Sequence, residues 1–408
     1  MKLSNLFNSK KTTLIASFIG LYLISAGISL LVFSYVIKTP GSGGAISNGK
    51  SRINLSLPKT EECPINGAKY TKEEKKIWDT RRPLAAMIEN HADSRPQSGL
   101  SKADVVYEVV AEGGITRFMG VFYCGVIAEE TKLAPIRSSR IYFVNLAAGY
   151  GADPIYLHQG GANNFCNTCP GGVKPRGQVD KTVDAYAALD KLGWRNGQHG
   201  NDMDGGFNIG YPIVERNQYR TSDEAAAWEH SVVASVDEVY KEAEKRGFAF
   251  EDEDGNPWTD GFTKWKFEDG KAVSSPSATD IKFSFWDNWA DYDVEWKYDQ
   301  ASNTYKRFNG GKPHTDWEFD KPQIAASDVI IMFVTEKGPV DSEHHMYYEV
   351  MGEGDAIIFK NGEAIEGTWE KDSQLDREVF YDKNGDEIVL TRGPVWVEVL
   401  PSGNNVDY

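Results

Sequence analysis

Asp104-Val105-Val106-Tyr107-Glu108-Val109-Val110, the break at Gly113-Gly114 and Arg117-Phe118-Met119-Gly120-Val121-Phe122-Tyr123 read as two apolar strands joined by a turn. Both runs are rich in β-branched and aromatic residues, which fit a pleated, buried surface. Upstream, Pro83 to Glu89 has the same character. Downstream, Ser138 to Ala148 reads as a helix and Pro154 to His158 as extended chain. Strand and helix alternate, so residues 78–232 are expected to form a mixed α/β domain.

Val183, Tyr186, Ala187, Leu189 and Leu192 continue with helical spacing up to a stop at Gly193. Thr221 with Glu224 and Ser235 with Glu238 each match a capping box, in which a hydroxyl and a carboxylate satisfy amides of a helix's first turn. The second box predicts a helix to Arg246 with a stop at Gly247, and residues 233–279 read as a helical and loop connection. From Asp280 the pattern changes to strands. Ile281-Phe283-Phe285 alternates, Val294–Tyr298 and Thr304–Phe308 read as a hairpin, and Val329–Val334, Ala356–Phe359, Val379–Tyr381, Ile388–Leu390 and Val395–Val399 follow. Asn361-Gly362 and Asn384-Gly385 supply turns. Residues 280–408 are therefore expected to be a mostly antiparallel β domain, and the fold class is α+β.

Thr12 to Ile37 contains no charged residue. As a helix it would reach roughly 39 Å, more than a bilayer core of about 30 Å. Lys2, Lys10 and Lys11 precede it. The expectation is an N-terminal transmembrane helix over residues 12–37, a cytoplasmic tail over 1–11, a linker over 38–77 and a large extracytoplasmic remainder in single-pass topology at the cell membrane. A signal peptide cleaved near Ser25-Ala26-Gly27 is the alternative, although the apolar run continues well past those residues.

A net charge of −16 disfavours nucleic acid, which demands a concentrated cationic surface. An anionic envelope polymer or an envelope protein stays open as a partner, because a local arginine cluster can act against the global sign. Cys63, Cys124, Cys166 and Cys169 allow three pairings. Cys166 and Cys169 are the disulfide candidates, with free thiols or a metal site as alternatives. No second cysteine pair or close histidine group completes a zinc set, and no metal or cofactor is assigned.

Arg82-Pro83-Leu84-Ala85-Ala86-Met87-Ile88-Glu89-Asn90-His91 resembles the YerB-like family of bacterial lipoproteins, a two-part domain of unknown function. The likeness continues through Arg95–Leu100, Ala103–Glu108, Glu112–Phe118, Pro135–Arg140 and His158–Gly161, then from Trp296–Asp299 to Gly367–Lys371. The resemblance implies a bacterial envelope protein with an N-terminal and a C-terminal family domain, and it implies no reaction. The apolar run stands where that family carries a lipidated cysteine.

His91, Arg95, Glu108, Glu112, Arg117, Arg137, Arg140 and His158 form the candidate ligand-binding set, with Glu89 and Asn90 beside them. They fall at strand ends and loops, where polar groups can face a cleft. Arginine presents a planar fork to carboxylate or phosphate. Arg117, Arg137, Arg140 and His158 are expected to line one pocket; the structural alternative pairs each arginine with Glu108, Glu112 or Asp104. Asp252, Asp254, Asn256 and Asp260 follow the spacing of a calcium loop, but Pro257 and Thr263 break it. His344-His345 lacks a ligand set. Trp258, Trp265, Trp286, Trp289 and Trp296 offer either a sugar-stacking surface or core.

No nucleophile elbow, zinc-protease helix or phosphate loop occurs, so no catalytic residue is assigned. Two function classes remain: a binding or scaffold protein of the envelope that recognises an anionic ligand or partner, and an envelope hydrolase or transferase acting on a glycan or peptide through His and carboxylate chemistry.

Overall fold

The hairpin of the opening stretch lies inside a larger sheet. The computed structural model describes residues 51–408 except 176, 177, 198 and 253. Its N-terminal half supplies β1 (Leu84–Glu89), β2 (Val105–Glu112), β3 (Ile115–Phe122), β4 (Ile155–His158) and β5 (Asp202–Asp204). Its C-terminal half supplies β6 (Asp280–Phe283), β7 (Val294–Asp299), β8 (Thr304–Asn309), β9 (Asp328–Val334), β10 (Gly352–Lys360), β11 (Glu363–Lys371), β12 (Val379–Asp382) and β13 (Val395–Pro401). The helices are α1 (Lys72–Trp78), α2 (Ile141–Ala147), α3 (Ala185–Lys191) and α4 (Val236–Lys245).

Ten strands form one sheet in the order β12-β11-β10-β9-β13-β2-β3-β1-β4-β5. The last strand, β13, is central: it runs parallel to β9 on one side and to β2 on the other. Strands from both halves of the chain therefore share one hydrogen-bonded layer. β2 is buried along almost its whole length, as befits a strand covered on both faces. On one face lies the smaller sheet of β6, β7 and β8, whose Trp296 meets Trp396 of β13 edge-on at 5.4 Å. Such an edge-to-face pair is a favoured aromatic geometry.

Between the two sheets lies a buried charge group. Glu108 of β2 and Glu398 of β13 are register partners, and Arg307 of β8 reaches both. Its Nη2 donates to Glu108, and its Nε lies 3.7 Å from Glu398. Glu108 also accepts from Thr116 at 2.6 Å and from Asn90 at 3.1 Å, while Glu398 accepts from the Trp296 indole at 2.9 Å. Burial, then the nearby Glu108 charge, pushes Glu398 well above the ordinary carboxylate range. Burial, then Arg307, pulls His314 well below the usual imidazole range, consistent with its Nδ1 accepting from Arg307 at 2.8 Å.

The expected fold class needs correction. The transmembrane run Thr12–Ile37 lies outside the described residues. Among the described residues no helix is long and apolar enough to cross a membrane, so the structure gives the span no support. The described chain is rich in sheet and its four α-helices are short; the C-terminal half pairs mostly antiparallel and has the smaller sheet to itself, but it also joins the N-terminal half in one central sheet. The physical reason is β13, whose two parallel neighbours come from opposite halves.

Local differences have local causes. The span read as linker carries a hairpin of Lys59–Glu62 with Lys69–Thr71, then α1, which opens on a true capping box between Thr71 and Glu74. The Thr221 box forms no helix: Ser222 Oγ bonds its own turn, and Gln218 holds Ala226 across the loop. Ser235 does precede α4, but its side chain makes no capping bond.

Arg307→Met is expected to lower the unfolding free energy by about 3–5 kcal/mol, the range for removing one partner of a buried ion pair. A urea titration of the purified chain checks this, and an unchanged midpoint would rule out the assigned role.

Candidate functional site

Strands β1, β4 and β5 run parallel and end together at Glu89, His158 and Asp204. Ligands of open α/β sheets bind outside such carboxyl ends, where loops diverge. The structure distributes the candidate residues along this edge in separate ion-paired groups.

Glu112, at the end of β2, joins Arg117 and Arg140. Arg117 Nη2 lies 3.3 Å from one carboxylate oxygen, and Arg140 Nη2 donates to the other. Arg117 and Arg140 also donate to the carbonyls of Ser138 and Ser139, each at 2.8 Å. Burial would raise the Glu112 pKa, but Arg140 and then Arg117 outweigh it and hold the carboxyl below its usual range. Two cations thus face one anion, and the Nε of each arginine is buried without a partner.

Glu89, at the end of β1, takes Arg137 at 3.0 Å and His230 at 2.8 Å, and His91 stacks on His230 at 4.8 Å. His158 belongs to a third group. Its Nε2 faces Asp202 at 2.6 Å and its Nδ1 faces the Gly160 carbonyl at 2.7 Å, a turn made with Gly160 at φ +74°. Both ring nitrogens meet acceptors, which suits the imidazolium. Burial alone would lower the pKa of His158, yet Asp202 and then Asp204 raise it. Arg195 pairs with Asp202 at 3.0 Å, and Tyr186 donates to Asp204 at 2.5 Å. Arg95 bonds Asn90 and lies over Tyr292, and Glu108 belongs to the core. The edge thus brings Arg117 and Arg140 together on Glu112, and His91 and Arg137 together at Glu89, with His158 apart from both.

Beside the Glu112 group opens a cavity of about 640 Å³. α2, which starts directly after Arg140, supplies Ile141 and Asn145, α3 supplies Ala187 and Ala188, and the segment after His345 supplies Tyr347. Lys181, Lys191 and Lys337 stand among its lining residues. The sequence reading missed these groups, because an exposed lysine carries no distinguishing pattern. A second, larger cleft of about 820 Å³ runs along β6, β7 and residues 401–407. Three of its acids are already engaged: Asp293 accepts from Ser284, Glu336 from Trp286, and Glu295 pairs with Lys282.

Disulfides join Cys63 to Cys124 and Cys166 to Cys169. Among the described residues, the one group of potential metal ligands is Cys63, Asp104 and Cys124, and both sulfurs there are in the disulfide. In the acidic loop, Asp252 spends its carboxylate on the amides of Asp254 and Asn256. His345 pairs with Asp341 at 2.9 Å. Trp258, Trp265 and Trp296 are buried, Trp286 is half-buried in the larger cleft, and Trp289 is exposed.

Residues 67–249 match the family model described as the N-terminal domain of DUF3048, a protein of unknown function, and residues 281–397 match the C-terminal domain of the same family. The chain is 28% identical over 340 residues to "Putative lipoprotein YerB" of Bacillus subtilis, covering 83% of this chain and 86% of that protein. It is also similar to the crystal structure of the YerB protein from Bacillus subtilis, with a TM-score of 0.64 and 25% identity over 86% of this chain and 100% of that one. The expected single-pass localisation is corrected with the fold class: the relative is named a lipoprotein, and no described helix is long and apolar enough to cross a membrane.

The raised pKa of His158 fixes a sign. Its stabilising contribution is fully present below the unfolded value of about 6.5 and is lost as pH rises through the higher folded value. His158→Gln is expected to flatten that fall in the thermal midpoint between neutral and alkaline pH. A midpoint profile unchanged by the substitution would remove His158 as its source.

Proposed function

This chain belongs to the DUF3048 family, and from that premise we propose that it is a binding protein of the bacterial envelope that takes an anionic ligand in the cavity between α2, α3 and the segment around Tyr347. One observation carries the reading. Lys181 and Lys191 line the cavity, and among the described residues neither has a carboxylate within ion-pairing distance. The acids beside them are committed: Asp184 caps α3 through the Ala187 amide at 3.0 Å, and Glu349 pairs with Lys337 at 3.1 Å.

An envelope setting fits the two disulfides, since such bonds persist in oxidising compartments, and it fits the lipoprotein name of the relative. A hydrolase or transferase has less support. His158, His230 and His345 are each buried within hydrogen-bonding distance of a carboxylate, and His314 sits in the core beside Arg307. None of these bonds joins a histidine to a serine, threonine or cysteine nucleophile of the kind an acyl-transfer site needs.

Binding of poly(glycerol phosphate) to the purified chain, followed by calorimetry, tests the proposal. The Lys181→Gln/Lys191→Gln double variant is expected to lose about tenfold in affinity, and added salt should weaken the wild type, because exposed charge is screened. Equal affinity of variant and wild type counts against this cavity. Release of sugars or peptides from isolated envelope would favour the enzyme instead.

A further inference from the structure

The walls of the same cavity carry a second statement about its ligand, one that rests on the proposed anion-binding reading. Ile141, Ala187, Ala188, Val340, Tyr347 and Met351 line it. Of the two amides in the lining, Gln374 Nε2 donates to Asn145 Oδ1 at 2.9 Å, so part of their polarity is spent on each other. The volume of about 640 Å³ lies well within the size range of small-molecule sites, which are mostly apolar with a few placed polar groups. An inorganic anion would use the lysines and leave the apolar wall wet.

We infer that the cavity takes a single amphiphilic anion, a phosphate or carboxylate bearing an apolar chain, with the chain against Ile141, Ala188 and Tyr347 and the head group on Lys181 and Lys191. Burial of the chain supplies the non-directional part of the affinity, because apolar surface is removed from water. The lysines fix which end faces solvent. Ala187 is itself exposed at the cavity, so a large side chain there occupies the space without disturbing the core.

The test compares dodecyl phosphate below its micellar concentration, inorganic phosphate and dodecyl maltoside, each titrated into the full chain. The variants are Ala187→Trp and Lys181→Gln/Lys191→Gln, with thermal midpoints measured alongside. Dodecyl phosphate is expected to bind at least about tenfold more tightly than either other probe, and each variant should lose that preference with its midpoint unchanged. Equal, lysine-dependent binding of dodecyl phosphate and inorganic phosphate would overturn the apolar-chain inference and leave the anion-binding proposal standing. Equal, lysine-independent binding of dodecyl phosphate and dodecyl maltoside would overturn both. So would no binding by any probe, because the wild type itself then lacks the site. Association only with phosphatidylglycerol vesicles, unaffected by Ala187→Trp, would mean that the lysines read a membrane surface, and the inference would fall. If Ala187→Trp proves unstable, the exposed lysine variant and the three-probe comparison decide alone.

Discussion

Arg307 holds the described structure together at the point where its two halves meet. It comes from the smaller sheet, and the carboxylates it faces come from adjacent parallel strands of opposite origin, β2 and β13. Two buried carboxylates side by side repel, and one arginine cannot neutralise both without a proton. Burial, and then the Glu108 charge, push Glu398 well above the ordinary carboxylate range, the direction that favours its protonated form. Trp296 donates to one Glu398 oxygen, and Thr116 and Asn90 donate to Glu108, while the second Glu398 oxygen and the Arg307 Nε stay buried without a hydrogen bond. A well-packed apolar cluster would stabilise the fold as much or more. What the charged group adds is a defined register: shifting β13 by one residue against β2 would turn Glu398 to the opposite face and away from Arg307.

The same principle, applied at the sheet edge, explains how little of the site was open to inspection in the sequence. Arginines at strand ends were visible as residues. Their partners were not, because Glu112 meets Arg117 through the β2–β3 hairpin but meets Arg140 only through the path of the loop that leads into α2. His158 finds Asp202 across a parallel pair, and parallel register is set by a connection too long to read locally. Lys181 and Lys191 gave no signal at all. Their significance lies in what surrounds them, an apolar hollow and acids that are already occupied.

Strands were legible because burial imprints a period on the chain. β2, β3, β9 and β13 appear where runs of Val, Ile and aromatic residues predict them. Their order was not legible, since residues that pair across the centre of the sheet lie far apart along the chain. Capping boxes show the limit from the other side. Thr71 and Glu74 close a helix within a stretch read as linker, whereas Thr221 and Glu224 carry the same spacing in a loop that Gln218 and Ser222 hold in turns. A box helps only where the following residues have an apolar face to bury, as Trp78 does for α1.

The position of β13 also bears on how such a chain must be made. Val105 waits for Val395 as its parallel neighbour, so β2 keeps an open, apolar edge until nearly the whole sequence has emerged. An edge of that kind invites pairing with other chains. Contacts so distant in sequence also make folding slow. For this architecture, protection and removal of unfinished chains matter more than they would for a protein whose halves mature one after the other.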